Sequence, residues 1–362
     1  MFSTADHQFM AHALRLAEKG LYTTSPNPRV GCVLVREGKI VGEGWHQQAG
    51  QPHAEILALA ACKENNYKLT CYVTLEPCSH QGRTGPCTEA LIEAGVARVV
   101  CAMQDPNPRV NGNGIAQLRA AGISVECGLL ENEVRELNIG FISRMTRLRP
   151  WVRLKIAASL DGKTALNNGS SQWMTGEAAR RDGHHWRARS CAVLTGIGTV
   201  REDDPRLNVR QVQTSRQPLR VVVDSRLEIS PAARILQGGK VLIFCALDDE
   251  KRAARLREQG VRVIALPNTG GKVELALMMQ ELAKQEINEI LVEGGFKLNG
   301  SLLKAGLVDE LLIYLAPHLI GDNARGMFNL PELSDLAGKR QLLIHDMRKV
   351  GEDLRVSARF VP

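Results

Sequence analysis

The sequence predicts an α/β protein with two domains, and three observations support this prediction. The chain has 362 residues, which is more than one ordinary domain contains. Short apolar strands alternate with helical segments along its length. A polar segment that ends in proline, residues 146–150, interrupts this alternation, and a new series of strands follows it. We therefore predict one domain over residues 1–147 and a second over residues 148–362.

The composition is typical of a globular protein that can bury large cores, with 44% hydrophobic and 23% charged residues. The formal net charge of +7 favours anionic partners such as phosphates. The sequence contains no run of five or six basic residues, so we expect no nucleic-acid partner. No apolar stretch is long enough to span a bilayer, so we expect no membrane partner. The nine cysteines, an odd number at irregular spacing, favour reduced thiols and a cytoplasmic protein.

The first domain is predicted to start with an amphipathic helix that Asp6 caps and Gly20 ends. This helix lacks the continuous apolar core of a signal peptide. Glu37-Gly38-Lys39 then separates two apolar strands and predicts a hairpin. Strand and helix alternate through the rest of the domain, which is the pattern of an α/β/α fold. The predicted strands cover residues 30–35, 40–45, 71–75, 98–102 and 124–127, and the predicted helices cover 53–62, 88–94, 115–121 and 131–145.

The second domain is predicted to contain a further series of buried strands with helices between several of them. These strands cover residues 151–158, 192–195, 219–224, 241–246, 261–265 and 290–293. Residues 310–315, 341–345 and 354–360 are candidates for further strands, and residues 298–305 for a helix.

One imidazole, two thiols and one carboxylate stand out in the first domain, within His53-Ala54-Glu55, Glu76-Pro77-Cys78 and Pro86-Cys87. Catalytic zinc sites use three protein ligands and leave the fourth position open, whereas structural sites are usually closed by four. His53, Cys78 and Cys87 supply three ligands, so we predict one catalytic zinc ion per chain. The order His-x-Glu, Pro-Cys and Cys is that of the zinc deaminases of nucleobases and pyrimidines.

Glu55 is the predicted catalytic residue, because it lies two residues from His53 and can take a proton from the metal-bound water. Zinc lowers the pKa of that water toward about 7. Glu55 would pass the proton to the ring nitrogen and then to the leaving amine, while hydroxide adds to an amidine-like carbon. The alternative is a structural zinc site with His80 as the nearest fourth ligand, but such a site gives no reason for Glu55.

The spacing of the two cysteine ligands departs from the usual Pro-Cys-x-x-Cys, because residues 79–86 separate Cys78 from Cys87. A loop between two metal ligands must lie beside the metal, so this loop is expected to line the substrate pocket. Arg83 lies in the loop and is a candidate phosphate ligand. The alternative is that the Arg83 side chain is simply solvated.

Two glycine-containing turns in the second domain are candidate phosphate sites. Gly294-Gly295 follows a predicted strand and precedes a predicted helix, which presents backbone N–H groups and a positive helix end to an anion. Residues 195–199 form a weaker example. The alternative is that these glycines only make tight turns. No Gly-x-Gly-x-x-Gly follows the first strand of this domain, which argues against a Rossmann dinucleotide site.

Several longer motifs carry a resemblance to a known family. In the first domain they are Ser25-Pro26-Asn27-Pro28-Arg29-Val30-Gly31, His53-Ala54-Glu55, residues 76–87 and Asp105-Pro106-Asn107-Pro108. In the second domain they are residues 154–163, Ser171-Gln172-Trp173, Gly198-Thr199-Val200, residues 203–207 and Val292-Glu293-Gly294-Gly295. Together, and including the long loop between the cysteines, they resemble the bifunctional deaminase/reductases of riboflavin biosynthesis over essentially the whole chain.

The resemblance implies a cytidine-deaminase-like fold for the first domain and a dihydrofolate-reductase-like fold for the second. It implies that the first domain removes the 2-amino group of 2,5-diamino-6-(5-phosphoribosylamino)pyrimidin-4-one. The second domain would then use NADPH to reduce the ribosyl side chain, giving 5-amino-6-(5-phosphoribitylamino)uracil. The partner is thus a small phosphorylated pyrimidine, and we expect a homo-oligomer, either a dimer or a tetramer.

The resemblance also implies site residues beyond the zinc ligands and Glu55. Deaminase substrate contacts fall on Asn27, His46 and Arg83. Cofactor contacts fall on Ala157, Trp173, Thr199, Asp203, Ser225, Gly295, Phe296, Lys297, Leu298, Asn299, Gly300 and Ser301. Reductase substrate contacts fall on Ser171, Arg187, Leu207, Arg210 and Glu293. For Trp173, a place in the core is the alternative.

Elementary chemistry supports several of these implied contacts. The Asn27 amide can both donate and accept at a pyrimidine edge. Arg187 and Arg210 suit the phosphate of a sugar phosphate. Lys155 and Asp203 are the polar candidates for handling a proton during hydride delivery, while the hydride chemistry belongs to the nicotinamide.

Two other functions share the predicted zinc ligands. An RNA or DNA base deaminase would need a basic surface with aromatic side chains for stacking bases, but only 4% of this chain is aromatic. A zinc-dependent binding module without catalysis would not need Glu55. Ammonia release from the diaminopyrimidine ribotide, compared with cytidine and RNA, separates the three functions.

Overall fold

A computed structural model of the chain describes residues 1–63, 68–81 and 85–361. The chain forms two compact units, Met1–Leu148 and Arg149–Pro362, whose boundary lies one residue after the predicted one. The α/β fold class is confirmed for both units. Among the described residues, no helix is long and apolar enough to cross a membrane.

Unit 1 is a sheet with helices on both faces. Its strands are β1 (Gly31–Arg36), β2 (Lys39–Trp45), β3 (Thr70–Val73), β4 (Arg98–Cys101) and β5 (Ser124–Cys127). Its helices are α1 (Thr4–Glu18), α2 (Ala54–Ala61), α3 (Cys87–Glu93), α4 (Asn113–Ala120), α5 (Glu131–Leu137) and α6 (Ile139–Arg147). The strand order is β2-β1-β3-β4-β5, antiparallel at β1 and parallel from β3 to β5.

The two faces of this sheet follow from the alternation of side chains along each strand. On one face, Cys32 and Leu34 of β1 pack with α2, α3 and α4. On the other, Val33 and Val35 pack with α1 and α5. Gly31 lets α1 approach β1, because a Cβ there would lie 2.0 Å from the Ala13 carbonyl oxygen. The predicted α/β/α arrangement is therefore confirmed.

The predicted cap of the first helix is wrong, because Ser3 is the N-cap and Asp6 lies in the first turn. Ser3 Oγ accepts a hydrogen bond from the Asp6 amide at 3.1 Å, and the Asp6 carboxylate accepts one from the Ser3 amide at 2.8 Å. This reciprocal capping box satisfies two amides, whereas a lone cap satisfies one.

The single helix predicted over residues 131–145 is also wrong, because Asn138 separates α5 from α6. The Asn138 side chain accepts from the Arg29 amide at 2.8 Å and donates to the Arg29 carbonyl at 3.0 Å. Periodicity did not reveal this break, because the partner lies far away in the sequence.

Unit 2 has a nine-stranded sheet and a two-stranded one. Its strands are β6 (Trp151–Ser159), β7 (Lys163–Ala165), β8 (Ala192–Gly196), β9 (Leu219–Val223), β10 (Val241–Cys245), β11 (Arg262–Ala265), β12 (Glu289–Val292), β13 (Glu310–Ala316), β14 (Arg325–Gly326), β15 (Leu342–Val350) and β16 (Asp353–Phe360). Its helices are α7 (Glu177–Arg189), α8 (Ile197–Asp203), α9 (Glu250–Glu258), α10 (Leu275–Lys284) and α11 (Phe296–Lys304), with short 3₁₀ turns at Arg234–Leu236 and Leu336–Gly338.

The large sheet has the order β11-β10-β9-β8-β12-β6-β13-β16-β15, and β7 pairs with β14. The strands from β11 to β13 are parallel, so their carboxyl ends meet at one edge. The closing segments form an antiparallel hairpin, β15 and β16, with β15 at the sheet's edge. Ligands of open α/β sheets bind outside the carboxyl ends of parallel strands.

Candidate active site

The three predicted zinc ligands of unit 1 come from three separate segments. His53 is the N-cap of α2, with extended backbone, and Cys87 is the first residue of α3. Cys78 lies in the segment that follows β3. The start of a helix favours negative charge, so the position of Cys87 suits a thiolate.

The donor atoms of His53, Cys78 and Cys87 all lie within 4.8 Å of one another. His53 Nδ1 lies 3.3 Å from Cys87 Sγ and 3.5 Å from Cys78 Sγ. A tetrahedral zinc with ordinary bond lengths separates a nitrogen and a sulfur ligand by about 3.5 Å. The donor set and its spacing therefore fit zinc.

The hydrogen-bonded pair of thiols supplies the charge that a metal needs. Hydrogen bonding from the Cys87 thiol, together with His53, outweighs burial and lowers the pKa of Cys78 to about 4. The hydrogen bond to Cys78, together with burial, raises the pKa of Cys87. Of the two thiols, that of Cys78 therefore ionises first.

Glu55 lies in the first turn of α2 and is 4% exposed. Burial raises the pKa of its carboxyl to about 7, and the carboxyl is hydrogen-bonded to Cys87. A carboxyl with this pKa beside the ligand cluster can both accept and return a proton at neutral pH.

Asn27 and His46 form a pair next to the ligand cluster. Asn27 Nδ2 lies 3.1 Å from His46 Nε2, and His46 Nδ1 lies 3.1 Å from the Pro52 carbonyl oxygen. The carbonyl can only accept, so Nδ1 carries the proton and Nε2 accepts from Asn27. The His46 ring lies 5.4 Å from that of His53, centroid to centroid. Burial lowers the pKa of His46, which favours this neutral form.

The loop between the two cysteine ligands contains two other predicted residues, His80 and Arg83. His80 is not among the residues that the described part of the chain brings together as metal donors. The structure thus gives no support to a site closed by His80. Arg83, the candidate phosphate ligand, lies outside the described residues.

In unit 2 the predicted residues lie at the carboxyl edge of the large sheet. Arg187 on α7 donates to both carboxylate oxygens of Glu293, from Nε to Oε1 and from Nη2 to Oε2, the second at 2.9 Å. Lys155 Nζ on β6 lies 3.9 Å from Glu293. Burial opposes ionisation of Glu293, but the charge of Arg187 outweighs it and lowers the pKa to about 2. Burial and the Arg187 charge lower the pKa of Lys155.

The predicted cofactor residues follow strands that are neighbours in the sheet. Ala157 lies on β6, Thr199 and Asp203 on α8 after β8, Ser225 after β9, and residues 295–301 at the start of α11 after β12. Ser171 Oγ donates to Asp203 Oδ1 at 2.8 Å. Gly295 is the N-cap of α11 and leaves the helix start open to an anion.

The predicted residues of unit 2 differ in how exposed their side chains are. Trp173 is 68% exposed, so the alternative that it belongs to the core is wrong. Asn299 is buried, with Oδ1 lacking a hydrogen-bond partner within the described part of the chain. Leu207 is buried, whereas Arg210 is exposed. Because Arg187 is paired with Glu293, Arg210 is the more accessible of the two predicted phosphate ligands.

Sequence reasoning missed two residues near these sites. His184 lies one turn before Arg187 on α7, and burial together with nearby positive charge lowers its pKa to about 4. Its helical spacing from Arg187 was the available signal. Glu76 is buried and accepts four backbone hydrogen bonds. Its place in Glu76-Pro77-Cys78 was the only sequence signal.

Comparison with known proteins was consistent over both units. Residues 3–103 match the family described as the cytidine and deoxycytidylate deaminase zinc-binding region. Residues 150–356 match the family described as the RibD C-terminal domain.

Full-length relatives and solved structures match the same two units together. The riboflavin biosynthesis protein RibD of Escherichia coli K12 is 48% identical over 96% of this chain and 98% of its own. That of Haemophilus influenzae is 46% identical over 98% of both chains. The crystal structure of the Thermotoga maritima deaminase/reductase has a TM-score of 0.89 at 34% identity, over 99% of both chains. Acinetobacter baumannii RibD reaches a TM-score of 0.92 at 42% identity, also over 99% of both chains.

Proposed function

The chain belongs to the RibD family of bifunctional riboflavin-biosynthesis enzymes, and from this premise we propose how its residues divide the work. The enzyme deaminates 2,5-diamino-6-(5-phosphoribosylamino)pyrimidin-4-one and then reduces the ribosyl side chain. We assign the first step to residues 1–147 and the second to residues 148–362. This family membership excludes a nucleic-acid base deaminase and a zinc module without catalysis.

The observation that carries the deaminase assignment is the ligand cluster with a buried carboxyl beside it. His53, Cys78 and Cys87 would hold one zinc ion, which when bound supplies a hydroxide nucleophile at neutral pH. Glu55 accepts the proton of the attacking water and delivers it to the pyrimidine, so that ammonia leaves and a carbonyl remains. Asn27 is oriented by His46 and presents its remaining amide atoms to the pyrimidine edge.

For the reductase we propose NADPH as the hydride donor, bound along the carboxyl ends of β9, β8, β12 and β6. The open start of α11 supports a phosphate of the cofactor there. Ser171, Leu207, Arg210 and the Arg187–Glu293 pair would hold the substrate. Lys155, half-buried between Glu293 and the Tyr314 ring, is the candidate for proton handling.

The test uses the full-length chain, in which each activity is an internal control for the other. We expect Glu55→Gln to keep one zinc per chain and to lower ammonia release by about 10²–10⁴-fold, because only the proton carrier is lost. NADPH oxidation with the deaminated substrate should stay at the wild-type rate. Glu93→Gln, an exposed carboxylate at the end of α3, is the matched control and should leave both activities unchanged.

Several results would reject parts of the proposal. Full ammonia release by Glu55→Gln would reject its role. Absence of NADPH oxidation by the wild-type chain would reject the proposed cofactor. Ammonia release from cytidine or RNA at a comparable rate would reject the substrate.

We also propose a homo-oligomer that acts in the cytoplasm. β15 lies at the edge of the sheet and exposes an apolar stripe, with Ile344 57% and Met347 63% exposed. An edge strand with unpaired backbone groups can pair with a second copy about a two-fold axis. The nine cysteines all lie in the described part of the chain and none of them forms a disulfide there, which suits a reducing compartment.

A further inference from the structure

The carboxylate of Glu76 connects the zinc-ligand segment to a distant part of unit 1. Glu76 is 3% exposed and lies two residues before Cys78. Its two oxygens each accept two backbone N–H groups. The donors are the amides of Asp105, Gly112, Gly114 and Ile115, at 3.0, 3.0, 2.9 and 3.1 Å.

Three of these bonds, from the amides of Gly112, Gly114 and Ile115, give α4 a cap that its own sequence lacks. The N-cap of α4 is Gly112, in the left-handed region at φ 92°, and it has no side chain to cap the helix. The first amides of a helix have no partner within the helix and favour negative charge. Glu76 supplies both the acceptors and the charge. Gly114 brings α4 against the ligand segment, because a Cβ there would lie 2.1 Å from the Pro77 carbonyl oxygen.

A second set of bonds leads from α4 back to both thiol ligands. Gln117 Oε1 on α4 accepts from Thr88 Oγ1 at 2.7 Å. Thr88 follows Cys87 directly, and its amide donates to the Cys78 carbonyl at 3.2 Å. The Cys87 amide also lies 3.4 Å from Cys78 Sγ. Hydrogen bonds thus run from Glu76 to α4, from α4 to Thr88 and from Thr88 back to Cys78, and this closed circuit includes the backbone of both cysteines.

We propose that Glu76 is a positioning residue of the deaminase, which holds Cys78 and Cys87 at ligand spacing by anchoring α4 to the segment 76–78. It touches neither the substrate nor the reacting atoms. Glu76 is an outer partner of the metal site, and loss of such partners typically costs about 10- to 100-fold in metal affinity or activity. This inference rests on the proposed zinc-dependent deamination.

The test is Glu76→Gln in the full-length chain. The amide keeps one oxygen but replaces the other with a donor, so two of the four N–H groups lose their acceptor. We expect zinc affinity, measured by competition with a chromogenic chelator, to fall about 10- to 100-fold. Deaminase kcat should fall by a similar factor, while NADPH oxidation by the same sample stays at the wild-type rate. Glu93→Gln is the control for loss of a carboxylate and should change none of the three.

Wild-type zinc affinity in Glu76→Gln would overturn the inference. An equal loss of both activities would also overturn it, because the residue would then only support folding. If Glu76→Gln does not fold, the test is Glu76→Asp, which keeps both carboxylate oxygens on a shorter side chain. Weaker zinc binding with normal reductase activity in this variant supports the positioning role. Wild-type zinc binding rejects it. A wild-type chain that binds zinc but releases no ammonia contradicts the proposed function, and chelator competition alone then decides the role of Glu76.

Discussion

Single polar side chains, buried and shared between elements, determine much of unit 1. Asp6 belongs to the capping box of α1, yet its carboxylate also accepts from Tyr72 Oη at 2.6 Å and from Arg98 at 2.7 Å. One carboxylate therefore joins α1 to β3 and β4. Asn138 acts similarly when it binds both backbone groups of Arg29. Such residues look like ordinary surface or helix residues in the sequence, because their partners lie elsewhere in the chain.

Replacement of Asp6 tests this role at the residue scale. We expect Asp6→Asn to lower the free energy of unfolding by about 2 kcal/mol, because hydrogen bonds to a charged group are lost. The hydrogen bond from Arg98 lowers the pKa of Asp6, so this stabilisation is present above its unfolded pKa of about 3.9 and lost as pH falls through the folded value. The difference between variant and wild type should therefore be constant near neutral pH and shrink below about pH 4. Denaturant unfolding across pH measures it; a pH-independent difference would contradict the assignment.

At the scale of elements, buried charge connects the central strands of unit 2. Arg153 on β6 is 2% exposed and lies between Glu289 on β12 and Glu310 on β13, at 3.2 and 3.0 Å. Its guanidinium also lies 4.4 Å from the centroid of the Trp186 ring on α7. Arg153 thereby joins three strands and one helix. Toward the carboxyl ends of β6 and β12 lies the group of Lys155, Glu293 and Arg187 that we propose for the reductase site.

Arg153→Met should destabilise unit 2 by about 3 kcal/mol, because two buried carboxylates lose their shared cation. The value lies at the low end of the range for broken buried pairs, since Arg189 and Arg359 still approach these carboxylates. Arg181→Met is the matched control. Its ion pair with Glu177 is exposed and should contribute no more than about 0.5 kcal/mol. Denaturant midpoints measure both, and equal effects would show that the buried cluster is not important for stability.

At the scale of the whole molecule, the apolar edge strand β15 of the large sheet is exposed in the single chain. Leu342, Ile344 and Met347 lie opposite Phe360, Ala358 and Val356 of β16, and therefore on one face of the hairpin. Exposed apolar edge strands favour association with another chain.

We expect the wild-type enzyme to be a dimer or tetramer in solution. The double variant Ile344→Lys, Met347→Lys should form a smaller oligomer, a monomer in place of a dimer or a dimer in place of a tetramer. Two ammonium groups in the apolar stripe would have to lose water on pairing. Leu277→Lys, at an apolar residue of α10 that is 48% exposed, is the control and should keep the wild-type mass. Light scattering after size exclusion measures all three. A monomeric wild type, or an unchanged mass in the double variant, would contradict the proposed interface.

The sequence by itself determined the α/β class, the family and the identity of the predicted metal ligands. It could do so because periodicity is a local property, and because His53, Glu55, Cys78 and Cys87 lie in short motifs whose residue types carry their chemistry. The series of apolar strands after residue 150 likewise predicted the second unit. Residue type and order alone predicted that Cys78 and Cys87, although separated by a long loop, are ligands of the same metal ion.

Only the tertiary structure decided which distant groups meet. The cap of α1, the break at Asn138 and the exposure of Trp173 depend on partners or solvent that no local pattern encodes. The same holds for Glu76, because its residue type alone does not distinguish it from a glutamate on the surface. Its four N–H partners start 29 positions away along the chain. Hydrogen bonds and burial act through space, so they are settled when the chain packs, whereas helix and strand patterns are already present in the order of the residues.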